Sequence, residues 1–317
     1  MSDRKPRDLR GLLKFCAEYT KKEDAPGDST VESMDPERQE FLAKVLKDLS
    51  VDVIDEFTRA IQVLTSPKVS DETQEDQGEA LYVLECIEDW VGQIDMAVNF
   101  HKVGGFEAVL HTLQSPHEAL RAQGAHLISE LSQNNPYCQD HLTQDGFLQI
   151  LLHSLESDTP KVQVKALYAI SCILRQSTKA QTAWKGSEGP SRLVKALMSD
   201  VPKLNIKASF LMSALIAEKP SEFAPLFSSM GTHLQLSGLI VRNASNEQVA
   251  MALFTLLSHP QDSSTLCDLS SDTSLKDSLI KNIREMENKE ECMEERDYYK
   301  KILQIVFHSD SDRSVDR

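Results

Sequence analysis

The sequence predicts an all-α fold built as a solenoid of stacked helical units, and three observations predict it. Pro160–Gln176 (PKVQVKALYAISCILRQ) places Val162, Ala166, Ala169, Ile170 and Ile173 on one apolar stripe of a helix, at i, i+4, i+7, i+8 and i+11. Lys161, Lys165, Tyr168 and Arg175 fall opposite. The stripe then recurs. Forty-two residues earlier it reads Leu120, Gly124, Leu127, Ile128 and Leu131, and forty-two later Leu204, Ala208, Leu211, Met212 and Leu215. Finally, a glycine opens the next unit at Gly105, Gly146, Gly189 and Gly231, each ahead of an apolar helix. A helix with one apolar stripe cannot bury it alone, so a stripe recurring at fixed distance means neighbours that stack.

This period is that of armadillo and HEAT repeats, and the expected fold is a right-handed armadillo-type α-solenoid with helical caps at both ends. Weaker copies of the stripe at Ala80, Val83, Leu84, Ile87 and at Val249, Ala252, Leu253, Leu256 bring the units to five. Their equivalent positions are Tyr82, His126, Tyr168, Phe210 and Met251.

In chain order, residues 1–34 lack a stripe long enough to bury and read as a disordered segment carrying one short leucine-rich motif, LRGLLKF. The solenoid is expected over 35–308. Asp35-Pro36 suits a helix start, and helices Pro36–Leu49 and Val51–Leu64 form the N-terminal cap, 35–66. Ser66–Gly78 is polar and acidic and reads as a solvated loop. The repeats occupy 79–260, with Ser115-Pro116-His117-Glu118 and Ser245-Asn246-Glu247-Gln248 matching capping-box spacing and Pro160 and Pro202 opening helices. Gln261–Thr273 reads as a loop. Leu275–Met286 and Glu290–Phe307 form the C-terminal cap, 273–308, and 309–317 a disordered tail.

Composition narrows the function. The chain carries a formal charge of −15 and no dense cationic run, which argues against non-specific nucleic-acid binding and against anionic membranes. No apolar run approaches the length of a membrane span, and the N-terminus lacks the cleavage site of a signal peptide. The six cysteines form no CxxC pair, so they read as reduced thiols, buried at Cys86 and Cys172. The sequon Asn243-Ala244-Ser245 is silent in such a compartment. No phosphate loop, nucleophile elbow or paired-histidine ligand motif occurs, His111, His117 and His126 fall on different faces, and Glu85, Glu88 and Asp89 read as a solvated face. No catalytic residue, metal site or cofactor is expected.

A solenoid offers a long concave surface lined by the last helix of each unit. Its exposed positions include Tyr82, His126, Tyr168, Phe210 and Met251. Four residues on come Cys86, Glu130, Cys172, Ala214 and Thr255, and three residues before come Glu79, Gln123, Lys165, Lys207 and Gln248. This last ladder runs from acidic to basic. With Arg175 and Lys203 nearby, it predicts a basic patch in an acidic protein, suited to orient an acidic partner surface.

The segments EALYVLECIEDWVGQIDMAVNF, VQVKALYAISCILRQ, KLNIKASFLMSALI and EERDYYKKILQIVF, with LRGLLKF near the start, resemble the heat shock protein 70-binding protein 1 family. These are armadillo-type nucleotide exchange factors of the seventy-kilodalton heat-shock chaperone. The resemblance spans residue 36 to the C-terminus and the leucine-rich patch. It departs at GPSRLVKAL, preceded by Trp184. It implies a monomeric co-chaperone whose concave face grips the chaperone's ATPase domain and promotes ADP release. It also implies that Leu9, Arg10, Leu12, Leu13, Lys14 and Phe15 mimic a client in the peptide-binding domain and so aid client release. By resemblance Ala97 and Lys207 are contact residues, Ala97 staying small for close approach. The absence of a signal peptide and of a retention signal at SVDR points to the cytosolic branch, hence a cytoplasmic protein. The alternative is an armadillo-type peptide-binding scaffold or adaptor, which the missing asparagine ladder argues against.

Overall fold

The structure of the protein is a computed structural model that describes residues 53–74, 76–242, 246–259, 263–287 and 289–307. Every element among them is helical: α1 Val53–Leu64, α2 Gly78–Val91, α3 Ile94–Lys102, α4 Gly105–Leu113, α5 Glu118–Ser132, α6 Pro136–Gln144, α7 Phe147–Ser157, α8 Pro160–Leu174 and α9 Thr178–Lys185. Then follow α10 Gly189–Leu197, α11 Pro202–Glu218, α12 Pro220–Ser229, α13 Thr232–Val241, α14 Glu247–Leu257, α15 Ser263–Ser270, α16 Thr273–Glu285 and α17 Met293–Phe307, with short 3-10 turns at Pro67–Ser70 and Glu290–Cys292. The expected leucine-rich motif, the cap helix Pro36–Leu49, the 1–34 segment, the sequon and the 309–317 tail lie outside the described residues.

From α3 onward the helices repeat in threes, and every third one (α2, α5, α8, α11, α14, α17) packs against the next of its kind. The stripes read from the sequence face inward. Val162, Ala166, Ala169, Ile170 and Ile173 of α8, and their counterparts on α5, α11 and α14, are all buried. On α2, Ala80, Leu84 and Ile87 are buried and Val83 only half so. The starts of α2 and α5 lie 40 residues apart (118 − 78 = 40). The first unit is therefore about one turn shorter than the alignment of Tyr82 with His126 implies.

The unit boundaries are encoded locally. Gly104, Gly146 and Gly231 cap α4, α7 and α13 with φ of +89°, +82° and +68°, a left-handed conformation that glycine adopts without a Cβ penalty. The glycine marker splits here. Gly105 and Gly189 are instead the first helical residues after the cap, and they are bare for a different reason: a Cβ would press on the Phe100 ring or the Trp184 indole. The third unit has Glu188 at the cap with φ −77° and relies on Gly189 and Trp184, which accounts for its departure from the common start.

Three other expectations change. Gln261–Thr273 contains helix α15, with Leu269 and Thr265 buried. Its Ser/Thr-rich sequence hides a single apolar contact line that α13 and α17 cover. The capping boxes slip. His117 and Asn246 hold the cap positions, and Asn246 Oδ1 accepts from the Gln248 and Val249 amides. Ser115 does not cap α5: its oxygen accepts from the His117 amide at 3.3 Å, ahead of the helix, and its hydroxyl donates to the Val69 carbonyl at 2.6 Å. That bond also changes the Ser66–Gly78 loop. Val69 is buried, and the loop is pinned to α5 by Ser115 and by a His117–Asp71 carbonyl bond of 2.9 Å. The closing helices appear as expected, shifted to Thr273–Glu285 and Met293–Phe307.

Candidate functional site

The third-helix face draws its side chains from successive units at matched heights, so neighbours forty-odd residues apart meet. Between α8 and α11 the meeting is cation on ring. Lys207 Nζ lies 4.4 Å from the centre of the Tyr168 ring, and the Arg175 guanidinium lies 5.8 Å from that of Phe210. These four residues, with Ile206 and Gln248, line a pocket of about 220 Å³. Arg175 follows the end of α8 at Leu174 in an extended conformation, outside the helix. Gln139, on α6, ties this end down through its amide to the Cys172 and Arg175 carbonyls at 2.9 and 3.1 Å.

Electrostatics divide the face. Burial holds Lys207 below the usual lysine range, and Lys165 and Lys203 add to this. Burial likewise pushes Tyr168 up and Cys172 up to about 11. Cys172 is thus a neutral thiol in the pocket wall, without nucleophilic character. Towards α2 the sign reverses. Glu88 accepts from Gln123 Nε2 at 2.8 Å, and its carboxyl is raised to about 7 by burial and then by the Glu130 charge, with Lys165 opposing. His126 stands 3.9 Å from Glu130, its ring 6.4 Å from that of Tyr168, and burial with Lys165 nearby lowers its pKa.

Of the residues predicted from sequence, Gln123, His126, Glu130, Lys165, Tyr168, Arg175, Lys207 and Phe210 come together on this face. Met251 is half-buried on α14. Glu79 is exposed in the first turn of α2, and Tyr82, 66% exposed, belongs to a separate pocket with Arg59, Val63 and Trp90 beside α1. Ala97 differs from expectation: at 1% exposure it is buried in α3, where its small size serves internal packing and not an exposed contact surface. Glu88 is the residue that reading the sequence missed. The run Glu85, Glu88, Asp89 looks uniformly solvated, yet only Glu85 and Asp89 are exposed. The available signal was its spacing from Ile87 and Leu84, which sets it at the edge of the buried stripe.

Residues 96–234 match the SIL1/FES1/HPBP1 C-terminal domain. No curated protein matches the chain in sequence. Among solved structures, an engineered protein aligns with TM-score 0.62 at 16% identity, over 79% of this chain and 98% of its own. A designed armadillo repeat protein aligns with TM-score 0.60 at 17% identity, over 78% and 98%. UNC-45 from Drosophila melanogaster aligns with TM-score 0.52 at 14% identity, over 97% of this chain and 39% of its own. At these identities the likeness is one of fold, an all-α armadillo-type solenoid. The matched region contains the two cation–ring pairs of the pocket and the Gln123–Glu130 segment beside them, while Gln248 lies beyond it. Over these residues the chain is similar to the SIL1/FES1/HPBP1 C-terminal domain, which supports a place in that family of nucleotide exchange factors of the seventy-kilodalton heat-shock chaperone.

Proposed function

We propose that the third-helix face, the concave side of the solenoid, binds the ATPase domain of the cytosolic seventy-kilodalton chaperone and promotes ADP release. Leu9, Arg10, Leu12, Leu13, Lys14 and Phe15 occupy the peptide-binding domain and aid client release. The protein acts as a cytoplasmic monomer, without catalysis, cofactor, nucleic acid or membrane. In this proposal the solenoid covers 35–308, between the segments 1–34 and 309–317.

The observation that supports this reading is the Lys207–Tyr168 and Arg175–Phe210 pairing inside the family-matched residues. Cations that rest on rings are already partly desolvated, so a carboxylate of the partner gains more from meeting them than from meeting a hydrated lysine. Release follows from differential affinity. A face that fits the open nucleotide cleft better than the closed one shifts the chaperone towards the open form by that difference alone. A hundredfold acceleration needs about 2.7 kcal/mol of such preference.

Extended-peptide capture is the second reading, because one structural neighbour is a set of armadillo repeat proteins designed for modular peptide recognition. Backbone capture of a peptide needs side-chain amides at regular intervals along the groove. Here the series Cys86, Glu130, Cys172, Ala214 and Thr255 supplies none. Dissociation of a fluorescent ADP from the chaperone tests the proposal. Dose-dependent acceleration by this protein supports it, and unchanged dissociation moves the weight to peptide capture.

A further inference from the structure

We propose that the partner surface seated on the third-helix face alternates in charge. It presents carboxylates to the pocket between Tyr168 and Phe210, and, one unit towards the N-terminus, a lysine or arginine between Glu88 and Glu130. This rests on the reading of the face as chaperone-binding and adds the chemistry of the surface that it meets.

The two halves are one continuous surface. Gln123 of α5 bonds Glu88 of α2 at 2.8 Å, and on the same helix His126 stands 3.9 Å from Glu130 with its ring 6.4 Å from that of Tyr168 in the pocket wall, while Glu130 and Lys165 both act electrostatically on Glu88. A partner that covers the pocket therefore also covers the acidic side. The cationic half holds Lys207 and Arg175 against rings instead of carboxylates, and so has an anion deficit that a partner carboxylate fills. The acidic half is out of balance the other way. Glu88 is half-buried, and its hydrogen-bond donor is the neutral amide of Gln123. Glu130, Glu85 and Asp89 all crowd it with like charge, and among the described residues Lys165 is the cation that acts on it.

A uniformly acidic partner would deepen that crowding and desolvate Glu88 further. A surface with a cation at this point relieves both. Sign reversal over adjacent helices also sets the register, because a shift by one unit brings like charges together.

The test is affinity for full-length seventy-kilodalton chaperone loaded with ADP, titrated at two salt concentrations against the whole chain and two variants. The first variant combines Glu88→Gln and Glu130→Gln. The second is Glu130→Gln alone, which leaves the Glu88–Gln123 bond in place should the pair disturb the fold. Both are expected to bind more weakly, the pair by about tenfold, and with a smaller salt dependence than wild type. Unchanged or tighter binding by a folded variant overturns the proposal, since removing carboxylates favours a uniformly acidic partner. If wild type itself neither binds nor accelerates ADP release, the chaperone reading fails, which is a separate result.

Discussion

Lys207 and Tyr168 meet across the joint between two successive units, the ammonium 4.4 Å above the ring. The contact is an inter-unit tie and, in the proposed function, also a charge that meets the partner, and the two roles differ in size. An exposed or half-exposed cation–ring pair is worth about 0.5–1 kcal/mol, whereas reversing a charge at the centre of an interface removes several times that. Lys207→Glu is expected to lower stability by about 1 kcal/mol in a urea melt and to abolish chaperone binding. Binding retained at wild-type affinity would place the interface elsewhere.

Ala97→Asp separates fold from function in the opposite direction. The side chain is buried within α3, so a carboxylate there is taken out of water. The cost of burying it is about 3 kcal/mol or more. Loss of binding in this variant should therefore track loss of the helical melt. An unchanged melt with lost binding would show that Ala97 reaches the partner after all.

Gly189 faces the Trp184 indole so closely that an added Cβ must displace the ring. Trp184 is 1% exposed and packs towards Phe223 at 6.4 Å, so it has nowhere to go. Gly189→Ala should cost about 1–3 kcal/mol. Gly186→Ala serves as the control, since a Cβ there meets only ordinary contacts. Equal stability of the two variants would mean the indole can yield.

Glu88 supplies a pH signature. Its carboxyl is raised to about 7 in the folded state by burial and by Glu130, above the ordinary carboxylate value of about 4.3 in the unfolded chain. Between those values the folded state holds more protons, so this group's contribution falls as pH rises from about 4.5 through 7. Discounted for the solvent that reaches the group, the loss is about 1–2 kcal/mol. Glu88→Gln should match wild type near pH 4.5 and exceed its stability at pH 8. A constant difference across that range in paired urea melts would count against the burial of this carboxyl.

The N-terminal segment carries its own expectation. Deleting residues 1–34 should leave ADP release intact and slow the release of a bound client peptide, read by fluorescence anisotropy. If nucleotide release collapses as well, the segment is part of the exchange interface.

The sequence by itself determined that this chain is a solenoid, that Gly146 and Gly231 open two of its units, and which side of each repeated helix is buried. Those are properties of one helix at a time. A stripe at Val162, Ala166, Ile170 and Ile173 is set by 3.6 residues per turn and needs no partner to be read. A glycine such as Gly146 marks a boundary because its backbone conformation is local. The tertiary structure alone decided what depends on how one unit is rotated against the next. Glu88 reads as solvated until Gln123 and Glu130, far along the chain, are packed beside it. Ala97 reads as a contact until α3 turns it inward. Ser115 reads as the cap of α5 until the structure sets its oxygen on the His117 amide, short of the helix, and its hydroxyl on the Val69 carbonyl, 46 residues away. Helix α15 exists because α13 and α17 cover Leu269, a gain that its serines and threonines do not announce. In each case the deciding energy is a contact between units, and periodicity along a single helix carries no information about it.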